Sequence, residues 1–130
     1  MQPRELDEGR RTVSTKSGEI SYIDIGTGPA ALFVHGVGTN AYLWRNVIGP
    51  LTSVRRCLAI DLPLHGQTPV AAGQDLSVAA MASVLEDFCD ALGLTSGTLT
   101  IGSGITVEGQ TGFIGYNPEI GGTPGNITET

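Results

Sequence analysis

The sequence is short of several things, and each shortage excludes something. It holds two histidines, His35 and His65, and no histidine after them. All seven lysines and arginines fall at or before Arg56, and the net charge is −6. Such a chain repels nucleic acid and anionic membrane surfaces. The longest apolar runs, Ala30-Ala31-Leu32-Phe33-Val34 and Cys57-Leu58-Ala59-Ile60, are far below the ~20 residues needed to cross a bilayer. The amino terminus Met1-Gln2-Pro3-Arg4-Glu5-Leu6-Asp7-Glu8 is charged and has no apolar core of a secretory signal. A cytoplasmic location is therefore expected. Two cysteines make no disulfide framework. Cys57 and Cys89 both sit in apolar contexts and read as reduced core thiols. Nothing in the composition calls for a cofactor or a metal.

What is present is divided unevenly. From Gly97 to Thr130 the charged residues are Glu108, Glu119 and Glu129, and nine of the 19 glycines are packed into that stretch. Glycine loses much freedom on ordering, so this density suits turns and thin strands rather than helix. The expected organisation is a flexible N-terminus over 1–11, a partial domain over 12–94 and a Gly-rich, β-like or disordered tail over 95–130.

Within the middle segment the pattern is local and clear. Residues 12–25 predict a hairpin turning at Lys16-Ser17-Gly18-Glu19, with alternation in Ile20 to Ile25. Ala30 to Val34 and Cys57 to Ile60 are apolar without alternation, as strands buried on both faces of a parallel sheet are. A helix is expected after Asn40 as N-cap, with Leu43, Val47, Ile48 and Leu51 on its packed face, Trp44 extending it, and Gly49-Pro50 weakening its end. A second helix runs from about Val78 to Leu92, striped by Val78, Met81, Leu85, Phe88 and Leu92. Ser77 caps its start, Gly93 its end, and Leu94 folds back on the last turn. Strand, helix, strand, helix predicts an α/β fold with adjacent parallel strands at 30–34 and 57–60.

The string Leu32-Phe33-Val34-His35-Gly36-Val37-Gly38-Thr39-Asn40-Ala41-Tyr42-Leu43-Trp44-Arg45-Asn46 resembles the α/β-hydrolase fold family, where a strand ends in His-Gly before the first helix. Asp61-Leu62-Pro63-Leu64-His65-Gly66-Gln67-Thr68 is similar to that family's second signature, usually written Asp-Leu-Pro-Gly-His-Gly-x-Ser. Ala91-Leu92-Gly93-Leu94 resembles the helix end that precedes its nucleophile strand. The three signatures stand in order, each at an element boundary, and the resemblance covers residues 12–94. It implies an incomplete α/β-hydrolase parallel sheet with flanking helices. It also implies an oxyanion-hole loop at His35, Gly36 and Val37. There the Val37 N–H would face the negative oxygen of an acyl-transfer intermediate, Gly36 would let the backbone turn, and His35 would orient the loop. The Tyr42-Leu43-Trp44-Arg45-Asn46 wording is similar to the haloalkane dehalogenase branch. That branch carries Asn directly after His-Gly to hold halide, whereas Val37 stands here, which speaks against dehalogenation.

A working hydrolase of this kind needs nucleophile, acid and histidine in that chain order. Both histidines here precede any possible nucleophile. Ser103 falls in the nucleophile's register, but Ile101 and Ile105 occupy the positions where the strained elbow needs small residues, so Ser103 reads better as an ordinary strand or turn serine. Around it, Leu99, Ile101, Ser103, Ile105 and Val107 share one parity, and Gly97 to Gly109 resembles one rung of a right-handed β-helix surface protein. Asn126-Ile127-Thr128 matches a glycosylation acceptor and, without a signal, reads as chance. The expectation is thus a truncated hydrolase-family chain, acting in complete form on ester-like or related bonds of a small molecule and inactive as it stands. The alternatives are a non-catalytic structural or surface protein whose tail is the working part, or a binding module on the hydrolase scaffold. Self-association through an exposed sheet edge is expected, with no nucleic-acid or membrane partner.

Overall fold

The computed structural model describes residues 1–94 together with the strands Leu99–Ile101 and Ile127–Glu129. The chain separates into two compact units, Met1–Leu94 and Thr95–Thr130. In the first unit, α1 (Pro3–Asp7) leads into β1 (Arg10–Thr15), β2 (Gly18–Ile25) and β3 (Ala30–Val34). A 3₁₀ turn (Ala41–Trp44) runs into α2 (Arg45–Leu51), followed by β4 (Arg56–Ile60) and α3 (Val78–Ala91). In the second unit, β5 (Leu99–Ile101) pairs in parallel with β6 (Ile127–Glu129).

The sheet of the first unit has the order β1-β2-β4-β3. β3 and β4 are parallel neighbours with Leu32 opposite Leu58 and Val34 opposite Ile60, as their unbroken apolar character predicts. The β1–β2 hairpin adds an antiparallel pair, with β2 antiparallel to β4 as well, so the sheet is mixed. Alternate residues of β4 serve opposite faces. Leu58 and Ile60 join Ile20, Tyr22, Val84 and Phe88 in one core, while Cys57 and Ala59 join Leu6, Ile23, Ala41 and Ile48 in the other. Sandwiched this way, β2 is buried from Ile20 through Tyr22 to Ile23, and the polar Ser21 is buried with it. Ser21 is tolerated because its Oγ accepts from Arg10 Nη1 at 3.0 Å, while its backbone N–H donates to Thr68 Oγ1 at 2.9 Å.

The helix α3 follows its pattern closely. Ser77 Oγ accepts the Ala80 N–H at 3.2 Å. Leu94 N donates to Cys89 O and Gly93 N to Asp90 O, with Gly93 at φ +67°, the two bonds of a Schellman end. Phe88 is fully buried, edge-on to Tyr22 at 5.1 Å, and Met81 and Leu85 pack on the same core. Val78 is a correction: at 88% exposed it lies off the stripe, while Val84 is buried. As the first helical residue, Val78 sits at the rim of a cleft rather than over the sheet.

The segment after Asn40 also departs from expectation. Asn40 does cap, its Oδ1 accepting the Tyr42 N–H at 3.0 Å. The first turn is 3₁₀, however, and Pro50 lies inside α2. With three residues per turn in this segment, Ala41 of the 3₁₀ turn and Ile48 of α2 are buried while Leu43 and Val47 are half exposed. Residues 1–11, expected to be flexible, carry α1, whose Leu6 is fully buried, and the start of β1. Cys57 is buried and Cys89 half buried, and burial raises both thiol pKa values.

Candidate active site

Two loops leave the same end of the parallel pair, residues 35–40 after β3 and 61–67 after β4. Between them and the first turns of α3 lies a cleft of about 770 Å³. His35, Gly36 and Val37 line it on one side, Leu64 and His65 on the other, with Val78 at the α3 rim. Among the described residues that line it there is no Asp, Glu, Lys or Arg. Val37 is 98% exposed and Leu64 62%, so its mouth is apolar.

The histidines staple these loops together. His35 is buried, and its Nε2 accepts the Leu62 backbone N–H at 3.0 Å. The proton is therefore on Nδ1, which donates to Gly36 O at 2.8 Å. His65 does the converse: Nε2 accepts the Gly38 N–H at 3.1 Å and Nδ1 donates to Pro63 O at 3.0 Å. Each ring thus spends both nitrogens on backbone, one of them on the opposite loop.

Beneath the staples lies Asp61, fully buried. Its Oδ1 accepts the Ala41 N–H at 2.8 Å, and its Oδ2 accepts the Gln67 N–H at 3.0 Å and Arg10 Nη1 at 2.8 Å. Gly66 stands at φ +52°, and any Cβ there would collide with this carboxylate, which is why the turn needs glycine. Arg10 also donates to Ser21 Oγ at 3.0 Å and Asp7 Oδ1 at 3.1 Å, and lies 5.4 Å over the Tyr42 ring. Burial works against its charge, but the Tyr42, Asp7 and Asp61 oxygens outweigh it and raise its pKa. Tyr42 OH donates to Asp7 at 2.6 Å and holds that carboxyl below its ordinary 3.8.

The structure thus brings His35, Gly36 and Val37 to one cleft wall. Ser103 lies outside the described residues. Sequence reasoning missed Arg10, which carries no local signature. It also missed the burial of Asp61, although that residue opens the second signature. Leu64 was visible as the departure from glycine in that signature, and it takes φ 70°, the left-handed region. Among the described residues no cluster of three or more His, Cys, Asp or Glu could hold a metal, and no helix is long and apolar enough to cross a membrane.

A family model described as alpha/beta hydrolase fold matches residues 29–103. Haloalkane dehalogenase 2 of Mycobacterium tuberculosis is 36% identical over 84 residues, covering 65% of this chain. The chain spans 29% of that relative's length. Among solved structures, an epoxide hydrolase from an endophytic Streptomyces superposes with a TM-score of 0.62 at 31% identity, over 70% of this chain and 28% of the other. A thermophilic esterase from Thermogutta terrifontis gives 0.57 at 33% identity, over 72% and 35%.

Proposed function

Since this chain belongs to the α/β-hydrolase fold family, we propose that residues 35–40 and 61–67 form the oxyanion-loop side of a hydrolase site for small, uncharged, apolar substrates bearing an ester-like or related bond. We further propose that the 130-residue chain alone does not turn such substrates over. The observation that carries the second part is the state of the histidines. A general base needs a ring nitrogen free to take the nucleophile's proton. His35 Nε2 and His65 Nε2 both accept backbone N–H groups, and both Nδ1 atoms are held on carbonyls. No third histidine exists in the sequence. The mostly apolar described lining of the cleft supports the substrate class, because a charged group entering it would lose hydration with no Asp, Glu, Lys or Arg among those residues to pair.

The test is hydrolysis of p-nitrophenyl butyrate by the purified chain and by Ser103→Ala. No rate above a matched blank is expected from either. Turnover by the parent that the alanine variant loses would identify Ser103 as a nucleophile and overturn the inactive reading.

Dehalogenation is a second reading, favoured by the identity to the M. tuberculosis relative. Val37 opposes it, since a valine side chain offers no donor to a halide. Halide release from 1-bromobutane, measured alongside the ester assay, separates the two; none is expected.

A further inference from the structure

We propose that Leu64 is a specificity-determining residue of the cleft, its side chain held at the mouth to contact an apolar substrate at the expense of backbone strain. This inference rests on the reading of the cleft as a substrate site. Among the described residues, Leu64 is the non-glycine residue with positive φ, at 70°. In that region the Cβ of an L-residue crowds its own carbonyl, so it is left mostly to glycine, with Asn and Asp as occasional exceptions. The hydrolase signature that this loop resembles carries glycine at the position. Leucine adds the strain and contributes little to the core in return, since 62% of it is exposed.

Its neighbours on the cleft give the exposure a direction. Leu64 lines the cleft together with Val37 at 98% exposed, Val78 at 88% and Leu76 at 41%. Pro63 before it is fully buried, and His65 after it is tied to Gly38 and to Pro63 O, so the backbone on both sides is anchored. Leu64 therefore cannot relax by moving the loop. A side chain kept strained, exposed and fixed in position at a cleft is the pattern of residues retained for binding.

The experiment compares the full chain with Leu64→Gly and Leu64→Ala, titrating each with 1-hexanol and following the backbone amide signals of Gly36 to Thr39. The glycine variant removes strain and side chain together, while the alanine variant removes only the side chain. Both should bind 1-hexanol about 5- to 10-fold more weakly than the parent, the loss expected for one or two apolar carbons taken from a contact. Leu64→Gly should also melt roughly 2–4 °C higher, because relief of the left-handed strain outweighs the added freedom of the unfolded chain. Leu64→Ala should show no such rise. Variants that bind as tightly as the parent overturn the inference while leaving the substrate site standing. Failure of the parent itself to bind overturns both. A glycine variant no more stable than the alanine variant removes the strain argument and overturns the inference as stated.

Discussion

His35 and His65 each hold the loop that carries the other. The His35 ring takes the Leu62 N–H at 3.0 Å, the His65 ring takes the Gly38 N–H at 3.1 Å, and the ring centroids lie 4.9 Å apart. Because each bond crosses between loops, losing either should loosen the wall the other supports. His35→Phe strands a buried N–H and should cost about 2–3 kcal/mol, and His65→Phe, nearer to solvent, about 1 kcal/mol. Urea unfolding of both singles and the double variant measures this. Strict additivity would mean that the two staples act independently, contrary to the geometry.

Asp61 should be among the most costly polar residues to remove. Asp61→Ala removes the buried one of Arg10's two carboxylate partners, leaving the more exposed Asp7, and leaves two backbone N–H groups without an acceptor. Breaking a buried pair this way costs about 3–5 kcal/mol. Gly66→Ala pushes a methyl group into the same carboxylate and should cost about 2 kcal/mol or more. Their double variant should be much less than additive, since the clash disappears with the carboxylate. Additive losses would show that Gly66 is required for some reason other than Asp61.

The Asp7 carboxyl should report on Tyr42. The Tyr42 hydroxyl is the main reason its pKa lies below 3.8; burial opposes this and Arg10 reinforces it. A carboxyl depressed in the folded state contributes stability above its unfolded pKa and loses it as pH falls through the folded value. Tyr42→Phe should therefore raise the Asp7 pKa toward 3.8 in a carbon-detected NMR titration. The stability difference between parent and variant should be constant from pH 7 to about pH 5 and narrow only in stronger acid. The side chain is 43% exposed, so the effect should be small and weakened by salt. An unchanged Asp7 titration in the variant would assign the depression to Arg10 instead.

Phe88 tests the helix on the sheet. It is fully buried and edge-on to Tyr22. Phe88→Ala should cost about 3–5 kcal/mol in thermal or urea unfolding, whereas Val78→Ala, at an 88% exposed site, should stay within about 0.5 kcal/mol. A large loss at Val78 would mean that its exposed face is covered.

Much of the fold was legible because its signals are local. Cys57 to Ile60 is apolar on both parities and is buried on both faces, whereas Ala30 to Val34, equally apolar, stands last in the strand order and is only half buried. Ser77, the 3–4 spacing from Met81 to Phe88, and Gly93 mark one helix within a few turns of chain. The signature around His35 and Gly36 is equally local, and it pointed to the cleft. One misreading shows why the rest was not legible. Leu43 and Val47 obey a helical period, but the 3₁₀ turn that contains Leu43 and precedes Val47 shifts its phase, and the turn starts at Ala41, whose N–H is held by Asp61.

By itself the sequence determined the strands β1 to β4, the helix α3, their order and the family they belong to, since propensity, periodicity and signature spacing act over a few residues. Only the tertiary structure decided that Arg10 meets Asp61 across 51 residues and that both histidines are spent on opposite loops. It also decided that Leu64 stands strained at the cleft mouth. The reason is physical: a polar group's partner inside a protein is whichever donor or acceptor burial brings within reach, and that is set by packing and not by separation along the chain.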